Sequence, residues 1–286
     1  MGLGKFLNKH LLCRYDLQLV RSSAIIPLSD RIIRDLATQP SRKLQEDFLA
    51  LAQHFSPKAA VGKRKIRLGR PNDGGYVMLD DFAGIAAAIS AGIGDDASWD
   101  LDIAEIGIPT YQLDHCIASS PAKHPNLIFM RHRLVSHEAE GGETLAALID
   151  RYGHGGEAEL LLKMDIEGDE WPILDQTDAD RLRQFAQIIC EFHYFSRANQ
   201  RDWYNRAKRV MEKLSGIFQV VHVHGNNCEA IISIGNVPFP QVLEVTFANR
   251  ARYQFTDSAV LFPTPLDQPN CPGKADLFLG AFKFRT

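Results

Sequence analysis

The chain has 286 residues, 45% of them hydrophobic and 23% charged, with a formal net charge of −3. This is the make-up of a globular protein with ample material for a core. The slight acidic excess argues against a dedicated nucleic-acid binder, which needs a basic surface to neutralise phosphates, and leaves room only for a local basic patch.

Residues 1–62 read as a helical extension. Ser29-Asp30 suits the cap of a helix RIIRDLA, and Pro40-Ser41 breaks the chain before RKLQEDFLALAQHF. In that run Leu44, Phe48, Leu51 and Phe55 recur at helical spacing. The extension is expected to pack on the main domain or to cover its ligand. Its first twenty residues mix basic and apolar side chains, but Lys9, His10, Arg14 and Asp16 interrupt them. They therefore lack the apolar stretch of a signal peptide. Contact with an anionic membrane surface is the secondary reading of this segment. No apolar run approaches the roughly 18 residues of a membrane-spanning helix.

The domain proper is placed at 63–286. KIRLGRPNDGGYVMLDD (65–81) predicts two short strands about the turn 72–75. From Ile85 a strand–helix rhythm begins. Strands are expected at Ile85–Ala91, at PTYQLDHC, at 126–135, at 160–164, at Gln187–Phe192, at Phe218–His224 and at Gln241–Ala248. Helices are expected at Ser98–Gly107, Thr144–Tyr152, Trp171–Phe185 and Gln200–Leu214. This alternation predicts an α/β, doubly wound, mostly parallel seven-stranded sheet. The last two strands are joined through Pro238 and Pro240 rather than a helix, which predicts an antiparallel ending. Cys13, Cys116, Cys190, Cys228 and Cys271 are scattered, odd in number and form no CxxC pair. They read as reduced thiols in a cytoplasmic protein, with zinc held by cysteine disfavoured.

The chemistry lies at the strand ends. LLLKMDIEGDEW (160–171) reads as a buried strand followed by Asp165, Glu167, Asp169 and Glu170. Open α/β sheets bind ligands just beyond such strand ends. Asp169 and Glu170 are read as charges at a helix start, Trp171 as core, and Asp165 and Glu167 as the functional acids. After the first strand, Gly92 and Gly94 flank Ile93, followed by Asp95 and Asp96. This turn is not GxGxxG, and its two acids would repel a pyrophosphate. Asp114 follows Gly92 by 22 residues at the end of the second strand, where an acid can hold ribose hydroxyls. S-adenosylmethionine, whose cationic groups tolerate carboxylates, fits that combination better than NAD. Asp73 either forms its turn or contributes to the cofactor site.

SAGIGDD (90–96), YQLDH (111–115), KMDIEGDEW (163–171) and DGGYV (73–77) together resemble class I S-adenosylmethionine-dependent methyltransferases. Among these the resemblance is to FkbM-type and related sugar or small-molecule O-methyltransferases, whose Lys-x-Asp-x-Glu-Gly-x-Glu block is matched at 163–170. It spans roughly 65–250 and departs from the pattern at Ile93 and the acids that follow. It implies a Rossmann-like methyltransferase with cofactor contacts at Gly92, Gly94, Asp114 and Asp73.

Glu191 and His193, and His222 and His224, each share a strand face by alternation. With Asp165 they are expected on one edge of the sheet. His193, Glu191, His222 and Asp165 are the expected catalytic group, with His193 or His222 removing a proton from the acceptor hydroxyl. Asp165, Glu191, His222 and His224 could alternatively ligate a divalent cation such as Mg2+. The expected partner is a small-molecule or glycan acceptor, and a homo-oligomer is compatible with such a chain. The rival readings are a dinucleotide-dependent enzyme on the same fold and a binding protein without catalysis.

Overall fold

The computed structural model of the chain describes residues 42–152 and 159–284. At its centre lies the apolar run that precedes the acidic cluster. Leu160 to Met164 are all buried because this strand has neighbours on both edges and layers on both faces.

In chain order the elements are α1 (Arg42–Ala52), β1 (Lys58–Ala60), the hairpin β2 (Lys65–Leu68) and β3 (Tyr76–Leu79), β4 (Ile85–Ala91) and α2 (Ser98–Glu105). Next come β5 (Thr110–Leu113), β6 (Leu127–Met130), the short pair β7 (Leu134–Val135) and β8 (Glu143–Thr144), α3 (Leu145–Tyr152) and β9 (Glu159–Met164). Then follow α4 (Glu170–Gln176), α5 (Ala179–Leu182), β10 (Phe185–Phe192), α6 (Arg201–Ile217) and β11 (Phe218–Gly225). The hairpin β12 (Ile231–Ile234) and β13 (Val237–Pro240), β14 (Leu243–Asn249) and β15 (Phe255–Asp257) complete the series.

The main sheet has seven strands in the order β11-β14-β10-β9-β4-β5-β6. β4, β5, β6, β9 and β10 run parallel, and β14 inserts antiparallel between β10 and β11. The doubly wound, mostly parallel seven-stranded sheet read from the sequence is therefore the fold, with its antiparallel end. The chain order reverses between β4 and β9, which is the switch point where such sheets open a crevice.

Each strand sends alternate residues to opposite faces. On one face Ala87, Ile89, Leu160, Leu162, Ile188, Phe192, Val245 and Phe247 pack with Leu148, Trp171, Leu174, Val210 and Leu214 of the helices. Phe48, Leu51 and Phe55 belong to that same cluster, so the described part of the 1–62 segment shares the core of the sheet. The opposite face meets the β2–β3 hairpin and α2 through Ala88, Leu161, Ile189, Tyr76, Met78 and Trp99. Ser90, Lys163, Glu191, Glu244 and Thr246 alternate with those apolar residues and are also buried.

Several expectations change. Residues 58–60 form a strand that pairs with β15, not part of a helix or a plain connection. The single helix expected over Trp171–Phe185 is two, α4 and α5. They are parted at Thr177 and Asp178, both of which have extended backbones. The expected strand 126–135 ends at Met130, and Leu134–Val135 pairs separately with β8. The proposed cap at Ser29-Asp30 and the membrane-facing N-terminus lie outside the described residues. The reading of all cysteines as reduced is overturned: Cys228 and Cys271 form a disulfide, while Cys116 and Cys190 are free. The two partners are 43 residues apart in sequence, so no local spacing announced them. This also removes the support that the cysteine count lent to a cytoplasmic location. Among the described residues no helix is long and apolar enough to cross a membrane.

Candidate active site

Beyond the C-terminal ends of β4, β5 and β9 lies a cavity of about 630 Å³. Its edge is made by the turn that follows β4. Gly92 sits there at φ +80°, where a Cβ would collide with the carbonyl of Asp165 on the neighbouring strand. Only glycine allows that approach. The turn is bound to both neighbours, since Gly92 N donates to Leu113 O at 3.1 Å and Asp165 N donates to Ala91 O at 3.1 Å.

Asp114, also in the cavity wall, is bound directly to the turn. Its Oδ2 accepts the amides of Ile93 and Gly94 at 3.0 and 2.9 Å, and its Oδ1 accepts Cys116 N at 2.7 Å. Partial burial works against the charge of this carboxyl, but the four backbone amides around it prevail and hold it below its ordinary value. Under the turn, Lys163 Nζ donates to Gly92 O at 2.5 Å and lies 5.7 Å from the centre of the Tyr76 ring. The carboxyl of Asp100, also in the cavity lining, is raised by burial, and the charge of Lys163 offsets part of that rise.

Asp165 lies where the two halves of the sheet diverge. Tyr76 donates its hydroxyl to Asp165 Oδ2 at 3.0 Å. Burial, and then the carboxyls of Asp165, Glu191, Glu244 and Asp73, push that phenol well above its usual range, so it remains a donor. Behind Asp165 stands His193. Its Nδ1 faces Glu170 Oε1 at 3.1 Å and its Nε2 faces Glu167 Oε2 at 3.5 Å. Burial disfavours the charged ring, yet Glu170, Asp165 and Glu167 together raise its pKa. The Trp171 indole donates to the His193 carbonyl at 2.9 Å and fixes the strand end.

Gly92, Gly94, Asp114, Asp73 and Asp165 all line this one cavity. Glu191 is buried behind it, bonded by Asn226 Nδ2 at 2.8 Å. Burial and the neighbouring Asp165 and Glu244 push its carboxyl well above the usual range, and it does not line the cavity. His222 and His224 do not reach the cavity. His222 Nε2 donates to Asp267 at 2.7 Å, while Lys65 Nζ lies 3.4 Å from its Nδ1. Burial holds its pKa below the ordinary value. His224 lies between Glu244 and Asp276, at 3.1 and 3.0 Å. Against burial, these two carboxylates push its pKa up to about 10.

Both ring nitrogens of His224 are taken up by Glu244 and Asp276, and His222 Nε2 by Asp267. The expected set Asp165, Glu191, His222 and His224 is therefore not assembled as a cation site. Among the described residues, the groups whose ligand atoms lie within 4.8 Å of one another are Asp165, Glu170 and His193, and Asp114, His115 and Cys116. His222 is likewise withdrawn from proton removal, which leaves His193; it does not itself line the cavity but lies against Asp165 and Glu167, which do.

Sequence reasoning missed the role of Glu170. It is fully buried, and its Oε1 accepts the amides of Ile166 and Gly168 at 2.9 and 3.2 Å besides meeting His193. It thus organises the turn of the acidic block instead of serving only as a helix-start charge. Asp169 pairs with Arg133 at 2.6 Å. Tyr76 and Lys163 were visible only as members of the DGGYV and KMD runs, with no signal that they meet across the sheet.

No protein-family model matches the chain, and no curated protein matches it. Solved structures similar to it include a protein assigned as a DNA modification methyltransferase encoded within a prophage, from E. coli, at 10% identity and TM-score 0.38. That overlap takes in 64% of this chain and 52% of the other, about half of its length. A variant of the 16S rRNA (adenine(1408)-N(1))-methyltransferase from Catenulisporales acidiphilia overlaps at 13% identity and TM-score 0.30, over 68% of this chain and all of that one. Magnesium protoporphyrin IX methyltransferase from Synechocystis PCC 6803, with bound SAM, overlaps at 13% identity and TM-score 0.25, covering 57% and 70% of the two chains. Overlaps this shallow say nothing about what the cavity binds.

Proposed function

We propose that the protein is an S-adenosylmethionine-dependent methyltransferase that modifies a hydroxyl of a sugar, glycan or other small acceptor. The observation that carries this reading is the cavity at the switch point, walled by a glycine turn and by the Asp114 carboxylate bound to that turn. A carboxylate at the end of the second parallel strand suits a ribose diol. Asp73, Asp95, Asp96 and Asp114 lie around the same opening. They disfavour a pyrophosphate, which counts against a dinucleotide, and they tolerate a cationic cofactor.

S-adenosylmethionine supplies a methyl group on a sulfonium, transferred by in-line displacement. The chain then has to bind, align and remove a proton. Gly92 lets the turn close on Asp165 and Gly94 leaves open space beside it, Asp114 holds the ribose, and Asp165, steadied by Tyr76, faces the acceptor. His193 accepts the hydroxyl proton at Nε2, because Nδ1 is directed to Glu170. Alignment and proton transfer of this kind supply much of the acceleration in such reactions.

A second reading is favoured by one observation. Glu170 Oε2 is buried with no hydrogen-bond partner, and Asp165, Glu170 and His193 converge closely enough to share a cation. On that reading His193 is a ligand, and a divalent ion orients the acceptor hydroxyl.

Transfer of labelled methyl from the cofactor to a panel of sugars and glycans, with and without chelator, tests both readings. Label transfer that survives the chelator supports His193 as the base, and transfer abolished by it supports the cation. Binding of NAD in place of the cofactor would defeat the proposal.

A further inference from the structure

After β15 the chain returns across the polar side of the sheet as a strap. Phe262 and Phe282 anchor its two ends in the core, with Leu279 packed beside them; between those ends the one buried residue is Asn270, so the middle of the strap has little apolar hold on the body. Its attachments are polar. Asp267 meets His222, Asp276 meets His224, and Asn72 Nδ2 donates to Pro269 O at 2.9 Å. Asn227 Nδ2 donates to the carbonyl of Cys271 at 3.1 Å and its Oδ1 accepts Cys271 N at 2.7 Å. The single covalent attachment is the Cys228–Cys271 disulfide, one residue from the deepest point.

That deepest point touches the cavity. Asn270 Nδ2 lies 3.1 Å from Asp73 Oδ1 and 2.6 Å from Glu244 Oε1, and Asp73 is part of the cavity wall.

We infer that the Cys228–Cys271 disulfide is a redox latch which keeps the strap closed and thereby fixes the Asp73 side of the cavity. A dithiol reductant opens it. One thiolate attacks a latch sulfur, the S–S bond breaks, and a mixed disulfide forms. The second thiol then closes the reductant into its own disulfide, so two electrons pass to the latch and two cysteine thiols result. Without the covalent link, the strap depends on exposed or charge-based contacts, and Asn270 leaves Asp73 and Glu244. The effect on ligand affinity rests on the cofactor reading of the cavity; the opening of the strap does not.

The test is hydrogen exchange of the strap amides in the full chain, untreated and after dithiothreitol, with calorimetric titration of S-adenosylhomocysteine in both states. Exchange over 263–277 is expected to accelerate about tenfold or more on reduction and to recover on reoxidation. A Cys228→Ser, Cys271→Ser variant should exchange rapidly without reductant. S-adenosylhomocysteine should bind severalfold more weakly to both open forms. Unchanged exchange after reduction overturns the latch, as does thiol titration that finds Cys228 and Cys271 free in an equally protected strap. Faster exchange with no binding in any state supports the latch and defeats the cofactor reading instead.

Discussion

The two faces of the central sheet obey different rules. The helix-covered face is apolar from edge to edge, with Ile89, Leu162, Ile188, Phe192, Val245 and Phe247 in one continuous cluster. The hairpin-covered face interleaves apolar residues with Ser90, Lys163, Glu191, Glu244, Thr246, His222 and His224, every one of them buried. Burying ionisable groups is costly unless each finds a partner. The polar face meets that requirement with ion pairs, the Tyr76 hydroxyl, Asn226 and Asn270. The comparison separates what holds the fold from what the fold is for, although both kinds of residue alternate along the same strands.

The sharpest contrast is expected between substitutions on the two sides of this divide. Asp165→Asn, which keeps an acceptor for Tyr76, should leave the thermal transition nearly in place while lowering kcat by about 10²–10⁴-fold, the range of a lost acid–base group. Steady-state rates beside melting curves check this. Leu162→Ala, on the apolar face, should do the reverse. It should cost about 2–5 kcal/mol of stability in denaturant titration, as buried leucine truncations do, with kcat of the folded fraction preserved. If the two kinds of variant proved indistinguishable, the division between the faces would fail.

A smaller effect concerns pH. Against the effect of burial, His224 is raised from 6.5 to about 10 by Glu244 and Asp276. A raised histidine contributes stability that is complete below its unfolded value and is lost as pH climbs through its folded value. The melting temperature should therefore decline between about pH 6.5 and pH 10 in the native chain. His224→Gln should melt lower at neutral pH and show a flatter profile over that window. A native profile as flat as the variant's would remove the charge pairing from the account of the strap.

Much of the frame was legible because strand burial leaves a plain signature. The first strand falls at Ile85–Ala91 as its apolar run indicated, and the proline-bounded connection before Leu243 does end in an antiparallel strand. Gly92, Gly94, Asp114 and Asp165 were readable as neighbours because strand ends converge at a switch point whatever the loops do, whereas Asp73, in the β2–β3 turn, was placed with them only by the family resemblance. His222 and His224 illustrate the limit. Alternation places them on one face, but it cannot reveal that Asp267 and Asp276, more than forty residues later in the chain, cover them. Glu170 was obscured for a different reason, since an acid at a helix start is common and its burial is a tertiary fact. The disulfide and the β12–β13 hairpin depend on the same late-returning chain.

The account depends most on Asp114 and the glycine turn forming a cofactor site. Calorimetric titration of S-adenosylhomocysteine into the native chain and into Asp114→Ala tests it directly. Losing hydrogen bonds to a charged group costs about 1.5–3 kcal/mol, so the native chain should bind and the variant should bind about 10–150-fold more weakly. No binding to the native chain, or equal binding to both, would contradict it.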